Sequence, residues 1–236
     1  MTPSCCVVGD RLSITSQPRK PIDDFVEQFV SIQLAADRAM ALSLVDQLLG
    51  DGYSVPDILT GLVQTAQYEL GRLWERDEIT VADEHIGTGV AQVVVNRLYE
   101  QLRRSASPAG HVLVACVEGE LHDLGPRIVA DLFEYHGFRV TFLGANVPTD
   151  SLMHAIRRDN PDAVLLSATM SWNVPQIARI AQRCADEGLK TILIAGGHGL
   201  NWLDINPEEL ANWTPIRDPI DAIATLGRQL DDGAAV

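Results

Sequence analysis

The sequence predicts a two-domain protein, in which a four-helix bundle precedes a doubly wound α/β domain with a five-stranded parallel sheet. Two observations support this fold class. Apolar residues recur at helical spacing until about residue 104. Beyond residue 110, short apolar runs alternate with amphipathic stretches, which is typical of parallel strands covered by helices on both faces. With 236 residues, of which 46% are hydrophobic, the chain can bury a core in each domain.

The helical domain is predicted at residues 21–106, after a flexible tail at residues 1–20. Gly50 and Gly52 end the second helix, Ser54 begins the third, and "TVAD" at 80–83 begins the fourth. Because the connections are short, we expect a bundle. The apolar positions of the four helices, in order, are Phe25, Val26, Phe29 and Val30; Met40, Leu44, Leu48 and Leu49; Leu59, Leu62, Val63, Ala66, Leu70 and Leu73; and Val90, Val94, Leu98 and Leu102.

The α/β domain is predicted at residues 107–236. Four clear strands are "VLVACV", "RVTFLG", "AVLLSA" and "TILIAGG", and a weaker fifth lies near "NWTPIRD". Helices are expected at 126–136, 150–158, 174–187 and 219–230. Five such units predict a flavodoxin-like arrangement, in which ligands bind beyond the carboxyl ends of the strands.

Composition limits the classes of partner and location. The net charge of -14 repels nucleic-acid phosphates, so a role in transcription would need a separate DNA-binding protein. Cys5, Cys6, Cys116 and Cys184 have no metal-binding spacing, and we expect reduced thiols in a cytoplasmic protein. The sequence shows neither a leader nor an apolar run near the roughly 20 residues that cross a bilayer.

Polar or glycine-rich segments follow the first, third and fourth strands. They are "EGELHDLG", "SATMSWN" and "GGHGLN", and they should meet at one edge of the sheet. Taken alone, His122 reads more simply as a solvated loop histidine. Taken together, ExHxxG at 120–125, Ser167 with Thr169, and Gly196 with Gly197 resemble the signature of cobalamin-binding domains, over about residues 108–230.

This resemblance implies a cobalamin cofactor, as adenosylcobalamin, hydroxocobalamin or methylcobalamin. His122 would be the lower axial ligand of cobalt, and Glu120 would hold its other ring nitrogen. Glu120 stands where aspartate is commoner in the family. The slot for the nucleotide tail would be lined by Gly125, Ser167, Thr169, Gly196 and Gly197.

The helical domain resembles the cap of the CarH-like photoreceptor repressors. In "LWERDEITVADEHIG", Trp74 is followed by Val81, Glu84 and His85, and the last three share one helical face. The resemblance implies that these residues cover the upper face of the cofactor. Taken alone, they read as a core tryptophan and a solvated surface. Glu75 stands where those repressors have a histidine that can bind cobalt, so His85 is the substitute considered as upper ligand.

Three functions stay open at the level of sequence. The first is a cobalamin-binding regulator that responds to light and acts through a DNA-binding transcription regulator, as in the AerR-like antirepressors, without being an enzyme. The alternative is a corrinoid methyl-carrier protein of a methyltransferase system. The third is a flavodoxin-like interaction domain without cobalamin, since a fold alone does not fix function. We expect no direct contact with nucleic acid or membrane, and self-association is a further option.

Overall fold

The computed structural model describes residues 19–102, 108–202 and 213–234. Most of the predicted tail at residues 1–20 lies outside these residues, as do Cys5, Cys6 and the predicted domain boundary near residue 106. Within the described parts, the helical half and the α/β half both have the predicted architecture.

The helical half is a bundle in which reciprocal capping boxes begin two of the helices. Ser54 and Asp57 form one reciprocal capping box, and Thr80 and Asp83 form another, so both predicted helix starts are confirmed. The third predicted helix is a continuous rod that contains a π-helical segment at Ile58–Gln64. The elements are a 3-10 turn at Ile22–Phe25, α1 Val26–Leu34, α2 Arg38–Gly50, α3 Val55–Asp57, the π segment, α4 Thr65–Glu75 and α5 Val81–Tyr99.

Two apolar positions in the bundle differ from the prediction. Met40 is 51% exposed, because the buried stripe of α2 consists of Ala41, Leu44, Val45 and Leu48 and turns Met40 away from the core. Leu102 lies beyond α5, which ends at Tyr99, and packs as a partly buried residue against the same core.

The α/β half contains one parallel sheet with the strand order β2-β1-β3-β4-β5. This is the flavodoxin-like order, with its switch point between β1 and β3, where the loops leave in opposite directions and open a crevice. The strands are β1 His111–Cys116, β2 Arg139–Gly144, β3 Ala163–Ser167, β4 Ile192–Gly196 and β5 Thr214–Pro215. The long helices are α6 Leu124–Tyr135, α7 Thr149–Asp159, α8 Val174–Asp186 and α9 Pro219–Ala234.

Two apolar cores lie on the two faces of the sheet. One contains α7 and α8, and it buries residues such as Leu152 and Ile180. The other contains α6 and α9 and continues without a break into the helical bundle, because α5 packs on α6. The bundle is therefore fixed beside the carboxyl ends of β1 and β3. Among the described helices, none has the length and hydrophobicity needed to span a bilayer.

Candidate functional site

The loop that follows β1 carries the first predicted site residues. It leaves the sheet through a turn at Gly119, whose φ of +85° favours glycine. The Gly119 amide donates to Asn146 Oδ1 at 2.8 Å, and the Asn146 amide donates to the Glu120 carbonyl at 2.8 Å. These bonds tie the loops after β1 and β2 together, so the segment that contains His122 has a defined conformation.

Glu120 is completely buried and its carboxylate joins two loops. Oε1 accepts from the His122 amide at 3.0 Å and lies 2.5 Å from His122 Nδ1. Oε2 accepts from the amides of Thr169 at 2.8 Å and Met170 at 3.0 Å, and from Asn173 Nδ2 at 3.0 Å. Burial opposes ionisation of Glu120, but these hydrogen bonds together outweigh it and lower its pKa to about 2. The carboxylate is therefore ionised.

His122 presents its ring to the outside of the sheet edge, with a side chain that is 55% exposed. The hydrogen bond with Glu120 raises the pKa of His122, burial opposes the shift, and the charges of Glu120 and Glu84 add to it. Because Glu120 engages Nδ1, the free position for a metal is Nε2. An imidazole oriented by a buried carboxylate is a donor that suits cobalt.

The loops after β3 and β4 form the other side of the crevice. Ser167 is buried at the end of β3, next to Gly196 of β4. Thr169 contributes its backbone amide to Glu120. Asn173, which the sequence analysis missed, is buried and donates to the same carboxylate. A lone asparagine in a loop has no periodic signal, and only its place in "SATMSWN" connects it with the motif.

The three site glycines serve different purposes. A Cβ on Gly197, whose φ is +105°, would lie 2.4 Å from the carbonyl oxygen of Ala168, so this glycine permits two loops to approach closely. At Gly196 a Cβ would meet Ile216 at 3.6 Å, and at Gly125 it would meet nothing within 4 Å. Of the three, Gly125 alone faces open space, Gly196 faces Ile216, and Gly197 is needed for the protein's own packing.

A cavity of about 170 Å³ lies between β4, β5 and α9. Ile194 and Ile216 line it, and Ile216 is the neighbour of Gly196 named above. A second cavity of about 610 Å³ lies away from His122, against β2 and α7, and is lined by Asn146 and His154 among others. None of the predicted slot residues, Gly125, Ser167, Thr169, Gly196 and Gly197, lines the smaller cavity.

The helical half carries its predicted residues at the end of α4 and the start of α5. Trp74, in the last turn of α4, is 46% exposed, and Val81, at the start of α5, is 54% exposed. Glu84 Oε2 lies 2.6 Å from His85 Nδ1, and the His85 side chain is 72% exposed. The rings of Tyr68 and His198 are 6.0 Å apart, so α4 lies next to the loop that follows the paired glycines.

Two models described as B12 binding domains match the chain, one at residues 110–211 and the other at residues 26–99. The first match contains the motif residues from Glu120 to Gly197, and the second contains the residues from Trp74 to His85. The chain is a cobalamin-binding protein. The residues described above fit this cofactor, because they supply an imidazole oriented by a buried carboxylate and open space at Gly125.

Relatives of this cobalamin-binding protein include methylamine corrinoid proteins and a transcriptional repressor. The dimethylamine corrinoid protein 1 of Methanosarcina acetivorans is 22% identical over 188 residues, which cover 77% of the chain and 88% of the relative. The HTH-type transcriptional repressor CarH of Myxococcus xanthus is 38% identical over 106 residues, which cover 44% of the chain and 34% of the repressor. The monomethylamine corrinoid protein of Methanosarcina barkeri has the same fold, with a TM-score of 0.72, 19% identity, and coverage of 87% and 98% of the two chains.

Proposed function

We propose that the chain is a corrinoid methyl-carrier protein, which holds cobalamin between its two domains and presents the upper face of the cofactor to partner methyltransferases. The observation that carries this proposal is the extent of the likeness to the methylamine corrinoid proteins. It includes the bundle and the α/β domain and covers 88% of the dimethylamine relative. On this proposal the chain is a carrier and not itself an enzyme.

The chain's residues divide the task between the two domains. His122 Nε2 would bind cobalt from below, and Glu120 would keep the ring oriented and electron-rich. Trp74 and Val81 would cover the upper face with apolar surface and keep water away. When bound, the corrinoid supplies a cobalt centre that accepts and releases a methyl group.

Labelled methyl transfer tests this proposal. Protein loaded in the dark with methylcobalamin that carries a labelled methyl group is incubated with extract of its source cells and a small thiol. The expected result is transfer of label to the thiol at a rate proportional to the loaded protein, and loss of this transfer in His122→Ala. Transfer no faster than that from the same concentration of free methylcobalamin would contradict the carrier proposal.

A light-responsive sensor is the second candidate, and the cap residues favour it. Trp74, Val81, Glu84 and His85 have the spacing of the CarH-like cap, and the match to CarH has the higher identity, although over a shorter segment. Because Glu75 replaces the histidine of that cap, His85 would be the available upper ligand. The net charge of -14 suits a basic DNA-binding regulator as partner.

Illumination separates the two candidates. The protein is loaded with adenosylcobalamin in the dark, and its visible spectrum and hydrodynamic radius are measured before and after green light. A sensor changes both properties, since loss of the upper ligand alters the surface of the cap. A radius that stays constant under light removes the sensor and leaves the carrier in place.

A further inference from the structure

Hydrogen bonds connect polar side chains from three helices of the cap into one chain that ends at Glu84. Thr88 Oγ1 donates to Glu84 Oε1 at 2.8 Å. Gln67 Nε2 of α4 donates to Thr88 Oγ1 at 3.1 Å, and Gln33 Nε2 of α1 donates to Gln67 Oε1 at 3.1 Å. We call these four residues the cap relay.

The direction of the cap relay is fixed at its buried end. Gln33 Nε2 also donates to the Gly87 carbonyl at 2.9 Å, and a carbonyl can only accept. The amide of Gln33 therefore has one permitted orientation, which fixes the orientation of Gln67 and leaves the Thr88 hydroxyl hydrogen for Glu84. Each donor in the relay points toward the carboxylate.

Packing alone does not explain the cap relay. Gln33 is completely buried, and its Oε1 atom has no hydrogen-bond partner among the described residues. An unsatisfied buried acceptor destabilises the folded protein, and an apolar side chain at this position of α1 would avoid that loss. A buried polar network with an unpaired atom thus stabilises a helical core less than apolar side chains would.

Gly87 brings the helices of the cap relay close together. A Cβ at this position would lie 2.6 Å from Leu70 Cδ1 and 3.5 Å from Gln33 Cβ. The absence of a side chain permits α5 to approach α4 and α1, so that Gln67 and Gln33 reach Thr88 and the Gly87 carbonyl. The packing of Leu70 and the hydrogen bonds of Gln33 therefore both depend on the close approach of α5 at Gly87.

The cap relay ends at the Glu84 carboxylate, whose Oε1 accepts from Thr88 and whose Oε2 lies 2.6 Å from His85 Nδ1. The Glu84 side chain is 25% exposed, and its charge is among those that raise the pKa of His122. Val81, almost one turn earlier on α5, is exposed on the same helical face. The carboxylate is thus held by Thr88 at a partly exposed position, on the same helical face as Val81.

We infer that Thr88 and Gln67 are positioning residues, which hold the Glu84 carboxylate as a hydrogen-bond acceptor above bound cobalamin, with Gln33 as their anchor. The relay then makes the site selective: a cobalamin whose upper group can donate a hydrogen bond is held more tightly than one whose upper group is methyl. The inference rests on cobalamin lying between His122 and the cap, and it applies to either proposed function.

The ratio of two dissociation constants tests this inference. Hydroxocobalamin and methylcobalamin are titrated in the dark into wild-type protein and Thr88→Val, which keeps the shape of the side chain and removes both relay bonds. The preference for hydroxocobalamin should fall about threefold to tenfold, the value of one hydrogen bond. Gln67→Leu should shift the ratio in the same direction.

Thr60→Val is the matched control. The Thr60 hydroxyl is partly buried and donates to the Pro56 carbonyl within its own helix, so its loss should leave the ratio unchanged. Melting temperatures measured without cofactor show that each variant is folded. In a double-mutant cycle, Glu84→Gln and Thr88→Val should be non-additive, because both act through one carboxylate.

Two outcomes would overturn the inference, namely a wild-type ratio in Thr88→Val or an equal shift in Thr60→Val. Failure of the cofactor placement has a different signature, since His122→Ala would then bind both cobalamins as tightly as the wild type does. If the methyl-carrier proposal is wrong, the labelled methyl group is not transferred, but the ratio of the two dissociation constants still changes in Thr88→Val.

Discussion

The carboxylate of Glu120 receives hydrogen bonds from both sides of the crevice. Its Oε1 atom is hydrogen-bonded to His122, and its Oε2 atom accepts hydrogen bonds from the loop after β3. The extra methylene, relative to the aspartate that is commoner in the family, extends the carboxylate from the β1 loop to the Thr169 and Met170 amides. One side chain thus orients the imidazole and fixes the position of the neighbouring loop.

Glu120→Gln should weaken cobalamin binding. A neutral amide is a poorer acceptor for the imidazole N–H, and replacing such a partner of a metal ligand costs about 10–100-fold in affinity. The measurement is the dissociation constant of hydroxocobalamin by absorbance titration. Glu118→Gln is the control, because Glu118 lies in the same loop but its carboxylate accepts from Thr149 at the start of α7. Equal affinities in both variants would contradict the role of Glu120.

Asp131 is a second buried acid, but its surroundings have the opposite effect. It is 3% exposed in α6, its Oδ1 accepts from Arg127 at 3.1 Å, and its Oδ2 has no partner among the described residues. Burial raises the pKa of Asp131 to about 6, Arg127 opposes the shift, and Glu134 adds to it. The folded state therefore binds this proton more tightly than the unfolded state does.

The contribution of Asp131 to stability should be lost as the pH rises from about 4 to about 6. A shift of about 2 pKa units corresponds to about 3 kcal/mol in the free energy of unfolding, which is fully present only below the unfolded pKa. Asp131→Asn should remove this slope and be the more stable protein at pH 7. Urea unfolding at pH 4, 5, 6 and 7 measures the effect, and Asp46→Asn, a change at an exposed ion pair, should leave the slope in place.

At the scale of elements, glycines set the distances between loops and the space left for the cofactor. The loops after β3 and β4 touch at Gly197, whereas the first turn of α6 leaves open space at Gly125. These two positions look alike in the sequence motif. Their surroundings predict different consequences for an added methyl group.

Gly197→Ala should destabilise the protein, and Gly125→Ala should not. The first change puts a Cβ against the Ala168 backbone at positive φ, which costs at least about 1–3 kcal/mol. The second adds a good helix former and should raise stability by up to about 1 kcal/mol. Thermal unfolding without cofactor measures both. If the tail of cobalamin occupies the open space, Gly125→Ala alone should combine normal stability with weakened binding.

Capping residues and strand runs made most elements predictable. The starts at Ser54 and Thr80, the five strands and the His122 motif are all local patterns, and the structure contains them. The π segment at 58–64 has no such pattern, because it depends on packing. Met40 was misplaced because Ala41 lies one position further along the helix and takes the buried side. The bonds of Asn173 and Gln33 join distant segments, which a single sequence does not reveal.

At the scale of the whole molecule, one apolar core connects the bundle with the sheet. It extends from residues such as Phe29 and Leu48 to Leu132 and Phe133 of α6. At the junction, the Arg127 guanidinium lies 5.3 Å from the ring centre of Tyr99 and 5.7 Å from that of Phe142. The bundle and the sheet therefore share one continuous apolar core on this face.

The described domains should unfold together. A shared core makes the exposure of one domain costly for the other, so a single cooperative transition is expected. Urea unfolding is followed by the fluorescence of variants that keep either Trp74, in the bundle, or Trp213, at the sheet. Coincident midpoints are the expected result, with a melting temperature measured for each variant as the control. Two separated transitions would show that the domains are energetically independent.

The buried hydrogen bonds of Glu120 preorganise the loops around His122 before the cofactor binds. Because Glu120 already holds the His122 imidazole in one orientation, binding of cobalamin should cost little conformational entropy in this part of the site. Adjustment on binding should then concentrate above, at the exposed indole of Trp74 and the side chain of Val81. The protein with and without cofactor would then differ mainly at the cap surface around Trp74 and Val81, which a partner protein can contact.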